Sequence, residues 1–342
     1  MLTTALVERV LAAAPGLTVG LLGDLFLDRY LDIDPARDEP SVETGRTAYQ
    51  VVGVRSYPGA LGTVLNNLAA LGVGRIVPVA AVGDDGEGYE LRQALRRIPA
   101  VDATHVLPVP DRRTPTYTKP MYGGTELNRL DIKNRTPTPP AAEADILARL
   151  DAVWPTVDAL IVLDQVSEED CGVVTARVRA RLAELGARDP AKFVLADSRE
   201  RIGAFRNVSI KPNEREVDGL MGLAGDIGEG LEILTDALVA VGRTVFVTHG
   251  AEGIGVYRFD AIIDTVFPTT VPAYPVTGPI DICGAGDSCS AGITTAVAAG
   301  LTHEQAAAFG NLVASITIQQ IGVTGTATPE QVRVRWREVG GA

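Results

Sequence analysis

Cysteine, histidine and positive charge are scarce in this chain, and each shortage excludes a class of protein. The 342 residues hold three cysteines, Cys171, Cys283 and Cys289, an odd number that leaves no even framework of bridges. A disulfide-stapled secreted scaffold is excluded, and a reducing cytoplasm is the expected location. His105, His249 and His303 are scattered, none at metal-ligand spacing with a cysteine, so no zinc site is expected. No apolar run is long enough to cross a bilayer. The opening Met1-Leu2-Thr3-Thr4-Ala5-Leu6-Val7-Glu8-Arg9-Val10 lacks the basic start of a signal peptide and reads as a helix. A formal net charge of −12 argues against nucleic acid or an anionic membrane surface as the partner. It does not argue against a nucleotide, because a few amides and cations bind phosphate inside an acidic protein.

Three nucleotide and hydrolase signatures are missing as well. Gly20 and Gly23 follow the first apolar run without the Gly-x-Gly-x-x-Gly of a dinucleotide site. There is no Gly-x-x-x-x-Gly-Lys-Ser/Thr phosphate loop and no Gly-x-Ser-x-Gly elbow.

What is present is a regular alternation of apolar runs and amphipathic stretches. Hydrophobic residues at 46% supply a large core. The pattern predicts a helix over 4–14, a buried strand over 17–22, a helix over 60–70, a strand over 75–82 and a helix over 89–97. After Pro137 it predicts helices over 141–153, 167–185 and 229–241, strands over 159–163, 192–196, 208–210 and 244–247, and a meander of strands over 253–259, 262–267 and 271–274. Thr302 with Gln305 and Thr328 with Gln331 form capping boxes, the second with Pro329 at the first helical position. Strands alternating with helices imply an α/β fold with a mostly parallel, doubly wound sheet covered on both faces. Two polar, β-rich excursions, about 31–57 and 112–133, interrupt it. The second reads as a hairpin around Gly123-Gly124, and the pair reads as one small sheet serving as a lid. With no repeat or linker, residues 1–342 read as a single domain.

The stretch that carries chemistry is Asp281-Ile282-Cys283-Gly284-Ala285-Gly286-Asp287, which opens into a helix of small residues closed by Gly300. A glycine turn at a helix N-terminus offers unpaired N–H groups and a partial positive charge, which suits a phosphate. A carboxylate at its lip, Asp287, suits proton abstraction; the alternative is an N-cap. Cys283 beside it is either a redox-sensitive thiol or a small packing residue. Asp24 and Asp28 follow the first strand, where open α/β sheets place ligands, and are candidates for binding a hydroxyl-rich substrate. A second polar cluster, Lys211-Pro212-Asn213-Glu214-Arg215-Glu216, ends a later strand.

Asn213-x-x-Glu216 and Gly284-Ala285-Gly286-Asp287 together resemble the two signatures of the ribokinase-like, or PfkB, carbohydrate kinases. Gly83-Asp84-Asp85, Val247-Thr248-x-Gly250-x-x-Gly253 and the two lid insertions extend the resemblance over essentially the whole chain. Within the family, Gly23-Asp24-x-x-Leu27-Asp28-Arg29-Tyr30, Thr118-Lys119 and Leu127-x-Arg129-Leu130-Asp131 look most like the heptose 7-phosphate kinase branch. That branch often carries a fused nucleotidyltransferase domain, which is not expected within these 342 residues.

The resemblance implies a three-layer αβα ribokinase-like fold with a small β-sheet lid. It implies a cytoplasmic, ATP-dependent kinase acting on a sugar or sugar phosphate. Asp287 would be the general base, and the amides of Gly284, Ala285 and Gly286 would stabilise the transferring phosphoryl group. Asn213 and Glu216 would organise Mg²⁺ through water. Thr248, Gly250, Gly253 and Asn311 would lie along the nucleotide. Asp28, Asp24, Gly59 and Asn67 would meet the sugar, and Lys119 and Arg129 would grip a phosphate on it. Asp281 belongs to the region where many relatives hold a monovalent cation, K⁺ among them. Pairing through the lid as a homodimer is implied too.

The sugar motif Gly-Gly-x-x-Asn is altered here to Gly59-Ala60-Leu61-Gly62-Thr63. Helix phase is expected to place Asn66 and Asn67 on other faces than Thr63. The branch's Asp-Tyr reads Asp164-Gln165. These departures keep two further readings open: a non-catalytic nucleotide- or sugar-binding sensor of the same fold, and a nucleoside or pyrimidine-precursor kinase.

Overall fold

The computed structural model describes residues 1–217, 241–260 and 265–340. In chain order its first strands are β1 (Thr18–Gly23), β2 (Leu25–Ile33), β3 (Glu39–Pro40), β4 (Thr47–Ala48) and β5 (Val51–Ala60). Next come β6 (Arg75–Gly83), β7 (Val106–Val109), β8 (Thr116–Tyr122), β9 (Thr125–Glu126) and β10 (Leu130–Ile132). The last are β11 (Ala159–Asp164), β12 (Phe193–Ser198), β13 (Ser209–Ile210), β14 (Val245–Thr248), β15 (Gly253–Asp260) and β16 (Thr265–Pro272). The helices are α1 (Thr4–Ala13), α2 (Leu61–Ala70), α3 (Gly86–Arg96), α4 (Pro140–Val153) and α5 (Ala176–Arg188). They are followed by α6 (Ala285–Ala298), α7 (His303–Thr317) and α8 (Pro329–Val339). The helix expected over 229–241 lies, but for Val241, outside the described residues.

Nine strands form the central sheet in the order β16-β15-β14-β13-β12-β11-β1-β6-β7. It is parallel from β14 through β7, with antiparallel β15 and β16 at one edge. Side-chain alternation splits the core in two. Val19 and Leu21 of β1, Ile161 and Leu163 of β11 and Leu195 of β12 pack toward α1, α2, α6, α7 and α8. Leu22, Leu160, Val162, Val194 and Ala196 pack toward α4 and α5. This is the three-layer αβα arrangement, and it requires strands apolar on both faces. The chain leaves β1 for β6 and β7 on one side and returns to β11 on the other, so a crevice opens at the carboxyl ends of β1 and β11.

The second sheet has the order β10-β8-β2-β5, with β9 beside β8. It is mixed: β2 runs antiparallel to β5 and parallel to β8. It begins earlier than the expected 31, because β2 starts at Leu25 directly after β1. Asp28 therefore stands on a lid strand and not in a turn. Within the excursion expected over about 31–57, residues 47–60 supply two strands, β4 and β5. Both capping boxes form, Gln305 N on Thr302 Oγ1 and Gln331 N on Thr328 Oγ1, each at 3.3 Å. The separate strands expected over 262–267 and 271–274 give way to one, β16.

The helix expected from 167 starts only at Ala176. A buried carboxylate explains the delay. Asp24 accepts the backbone N–H groups of Gln165, Val166 and Val173 at 3.0, 3.2 and 2.7 Å, which holds the segment after β11 in a loop. Asp170, at φ +52°, then accepts from Ala176 N at 2.7 Å, and Thr175 caps α5. Asp24 is thus a clasp inside the protein and not a substrate contact, a correction to its assignment. Burial and the nearby Asp164 anion raise its pKa to about 6 despite the three donors. Asp24→Ala leaves three N–H groups without an acceptor, that of Val173 buried and the other two part-buried, and a loss of about 2 kcal/mol or more is expected in urea unfolding; an unchanged midpoint would show that the clasp is dispensable.

Candidate active site

Five aspartates converge where the strands end, and their partners differ. Asp164 accepts from Ser198 Oγ at 2.7 Å and from Arg201 Nη2 at 2.7 Å. Asp24 has its three amides. Asp197 pairs with Lys211 Nζ at 2.8 Å. Asp28 and Asp287 alone of the five have neither a hydrogen bond nor an ion pair among the described residues, and both are half-buried. Unpartnered, half-buried carboxylates in a crevice are functional candidates on physical grounds.

Asp287 sits in the first turn of α6. Gly284 precedes the helix at φ +79°, and a Cβ there would lie 2.5 Å from Thr324 Cγ2, so the turn needs glycine. The amides of Gly284, Gly286 and Asp287 have no acceptor among the described residues and converge with the positive end of α6. The amide of Ala285 donates to the carbonyl of Ile282 at 3.1 Å. It is therefore not one of the free donors, contrary to the sequence expectation. Burial raises the Asp287 pKa to about 7; Asp197 adds to the rise, Lys211 and Arg199 oppose it, and Asp28 adds again.

Asp281 fastens this turn to the loop after α7. Its Oδ1 accepts Cys283 N and its Oδ2 accepts Gly322 N, both at 3.0 Å. Each oxygen keeps a lone pair for a cation. Cys283 is exposed, but burial of its sulfur side raises its pKa, with Lys119 opposing and Asp281, Asp28 and Asp287 reinforcing the rise. Burial is the main cause of that rise, where the sequence pointed to a lowering by the helix terminus.

On the lid side, Asp28 lies across Gly59, with Oδ2 only 2.3 Å from where a Cβ would stand. Any larger residue at 59 would displace the carboxylate. A cavity of about 110 Å³ opens here, lined by Asp28, Tyr30, Arg55, Tyr57, Asn66 and Thr324 among others. Burial raises the Asp28 pKa, with Lys119 and Arg129 opposing. Lys119 Nζ lies 3.3 Å from the Tyr30 hydroxyl and has no carboxylate partner among the described residues. Arg129 is engaged: it holds Asp131 through two bonds of 2.6 and 2.8 Å and stacks 4.2 Å over Tyr117.

Asn67 is fully buried and donates to the Thr63 carbonyl at 3.0 Å. It shares Thr63's face, since four residues make about one helical turn, and does not reach the cavity. Asn66 does. Both points correct the sequence expectation.

On the other side of Asp287, Asn213 and Glu216 cap one another: Asn213 N donates to Glu216 Oε2 at 2.8 Å, and Glu216 N to Asn213 Oδ1 at 3.1 Å. The motif is therefore also a helix start. Burial raises the Glu216 pKa. Its Oε1 takes no part in that cap, and one carboxylate with an amide and water is a donor set that suits hydrated Mg²⁺. Thr248 is brought beside Asn213 by a bridge between the two backbones, and Gly250 and Gly253 bracket the turn from β14 to β15. Asn311 stands apart from this group: both hydrogens of its amide donate to the carbonyls of Val271 and Pro272, at 3.1 Å each. It clamps α7 to β16, so its donors are not free for a nucleotide.

Sequence reasoning missed roles for Asp197, Arg199 and Lys211. Only the position of Lys211, two residues before Asn213, hinted at one.

The fold and site define a class, and comparison with known proteins gives it a name. The pattern described as pfkB family carbohydrate kinase matches residues 27–331; the chain belongs to this family of carbohydrate kinases. Among curated proteins it is 30% identical over 328 residues to the bifunctional protein HldE of a Caulobacter species, covering 94% of this chain and 63% of that protein. It is 25% identical over 316 residues to HldE of Gluconobacter oxydans, again covering 92% and 63%. The chain thus spans about 63% of the length of these relatives. Among solved structures, ribokinase from Thermotoga maritima superposes with a TM-score of 0.66 at 17% identity, covering 94% of this chain and 99% of that one. Arabidopsis thaliana ribokinase complexed with ribose and ATP gives 0.64 at 16% identity, covering 93% and 98%. A putative ribokinase II from E. coli with ATP and Mg²⁺ gives 0.64 at 17%, covering 94% and 99%.

Because its surroundings hold the thiol protonated, Cys283 is expected to react with iodoacetamide at pH 7 more slowly than a free cysteine, exposed though it is. Timed alkylation read by mass spectrometry checks this, and rapid labelling would restore the redox-sensor reading.

Proposed function

We propose that this protein is an ATP-dependent kinase that transfers the γ-phosphoryl group to a hydroxyl of a sugar or sugar phosphate, with Asp287 as the general base. The observation that carries the reading is the pair of unpartnered carboxylates, Asp28 and Asp287, either side of a glycine turn with free amides. The ATP, ribose and Mg²⁺ bound by ribokinase structures of the same fold support the choice of substrates.

Asp28 and Asn66 accept and donate hydrogen bonds to the sugar's hydroxyls within the 110 Å³ cavity, and Lys119 faces a phosphate on the acceptor. Asp287, in its charged form, takes the proton of the attacking hydroxyl as that oxygen bonds to the γ-phosphorus and the bond to the bridging oxygen of ADP breaks. The Gly284 and Gly286 amides stabilise the charge on the equatorial oxygens, where donors in a water-poor site act most strongly. Asn213 and Glu216 would hold Mg²⁺ through water, and the ion supplies neutralisation of the nucleotide phosphates. Thr248, Gly250 and Gly253 line the path of the nucleotide, and Asp281 with the 322 loop offers a place for a monovalent cation such as K⁺. The lid sheet closes over the acceptor and excludes water.

Asp287→Asn is expected to lower kcat by roughly 10²–10⁴ while nucleotide binding is nearly kept. A base with a pKa of about 7 must be deprotonated to act, so kcat/KM should fall about tenfold per unit as pH drops below that value. The acceptor is found by offering sugars, sugar phosphates and nucleosides with ATP and Mg²⁺. Full turnover in the Asn variant would sink the assignment, and nucleotide binding without any product would favour a sensor.

A homodimer paired through the lid belongs to the same reading. Edge strand β5 exposes Val51, Val52 and Val54 at 45%, 53% and 58%, apolar surface that an edge strand normally covers. Sedimentation is expected to give twice the chain mass, and Val52→Lys with Val54→Lys is expected to reduce it to one; a wild-type monomer would refute the pairing.

A further inference from the structure

Lys211 and Asp197 are sealed together beneath the glycine turn, at 4% and 8% exposure. The Lys211 Nζ lies 2.8 Å from Asp197 Oδ2 and 3.6 Å from the point where a Gly286 side chain would begin. Lys211 N donates to the Ala196 carbonyl at 2.9 Å, so the backbone registers the lysine against the end of β12. A buried ion pair is poor evidence for stability, because desolvating two charges costs about what their attraction returns. Apolar side chains of equal volume would fill a core as well or better. The position of this pair, directly under the base, gives it a different use.

We propose that the Asp197–Lys211 pair is a positioning device for Asp287: Lys211 offsets the buried Asp197 anion, so that the base works against a local charge fixed by the fold. The inference rests on the reading of Asp287 as the base. The groups that face Asp287 are Asp197 and Arg199 from the end of β12, Lys211 from the segment after β13, Asp28 from β2 and Cys283 from its own turn. Asp28 is half-buried and Arg199 exposed, so water and salt screen them. Asp197 and Lys211 are not screened in this way. Removing either one alone leaves the other as an uncompensated charge beside Asp287, and the two removals act in opposite directions. Lys211→Met exposes Asp287 to a bare anion and disfavours its charged form. Asp197→Asn exposes it to a bare cation and favours that form.

The test is a carbon-13 NMR titration of aspartate carboxyls in the ligand-free protein, with Asp287→Asn supplying the assignment, beside kcat/KM against pH. Lys211→Met is expected to raise the Asp287 titration by about one pH unit and Asp197→Asn to lower it by about one. The double variant K211M/D197N should titrate near the parent. A merely structural role moves activity without this opposition of sign. If Lys211→Met does not fold, Asp197→Asn and the charge-neutral double variant carry the test. Titrations that stay fixed, or that move the same way in both single variants, overturn the proposal. The NMR readout does not depend on turnover. Shifts of the expected signs in a protein that phosphorylates nothing would refute the kinase reading and leave the pair's control of Asp287 standing. An active parent with unmoved titrations would do the reverse.

Discussion

Gathering carboxylates at one end of a parallel sheet is a costly arrangement, because each anion disfavours its neighbours and burial disfavours them all. The fold answers aspartate by aspartate. Asp164 receives Arg201 and Ser198, Asp24 receives three backbone amides, and Asp197 receives Lys211. Asp28 and Asp287 receive nothing fixed among the described residues. The compensated three keep the strand ends, the loop after β11 and the glycine turn in place. The uncompensated two are left to take their partners from ligands. Structure and chemistry at this end of the molecule are two outcomes of one charge problem.

The same constraint joins the lid to the core. β1 runs on into β2 with only Asp24 between them, and the Asp24 clasp holds that junction against the segment after β11. Asp28, four residues further on, is carried out on β2 to face the turn of α6 from the lid. The 110 Å³ cavity is therefore shared between the lid (Asp28, Tyr30, Arg55, Tyr57), α2 (Asn66) and the loop after α7 (Thr324). Movement of the sheet that carries β2 and β5 would shift that wall against the two that the core supplies. The proposed nucleotide side, with Asn213, Glu216 and Thr248, belongs to the core alone.

Much of this was legible in the sequence. Alternation of buried strands with amphipathic helices gave the layered α/β fold, and two polar excursions marked the lid. The glycine turn with Asp287, and the Asn213-x-x-Glu216 cluster, brought out the family that the comparisons show. The failures share a cause. The early helix start at 167 and the sugar role for Asp24 were judged from local position, and the free amide of Ala285 and the nucleotide role for Asn311 from the family resemblance. In each case the deciding partner is a backbone group: the carbonyls of Val271 and Pro272 for Asn311, the Ile282 carbonyl for Ala285, and the amides of 165–173 for Asp24. Backbone partners leave no mark in the sequence.

The sequence by itself determined the class of fold and the family, because hydrophobic period and glycine-rich turns are local properties of the chain. Tertiary structure decided which carboxylates are free and which are neutralised. It also decided that Asn66 and not Asn67 enters the cavity, and that Lys211 stands under Asp287 across a gap in sequence of 76 residues. Charge compensation is a property of distance in space, and only folding brings those groups within a few ångströms of one another.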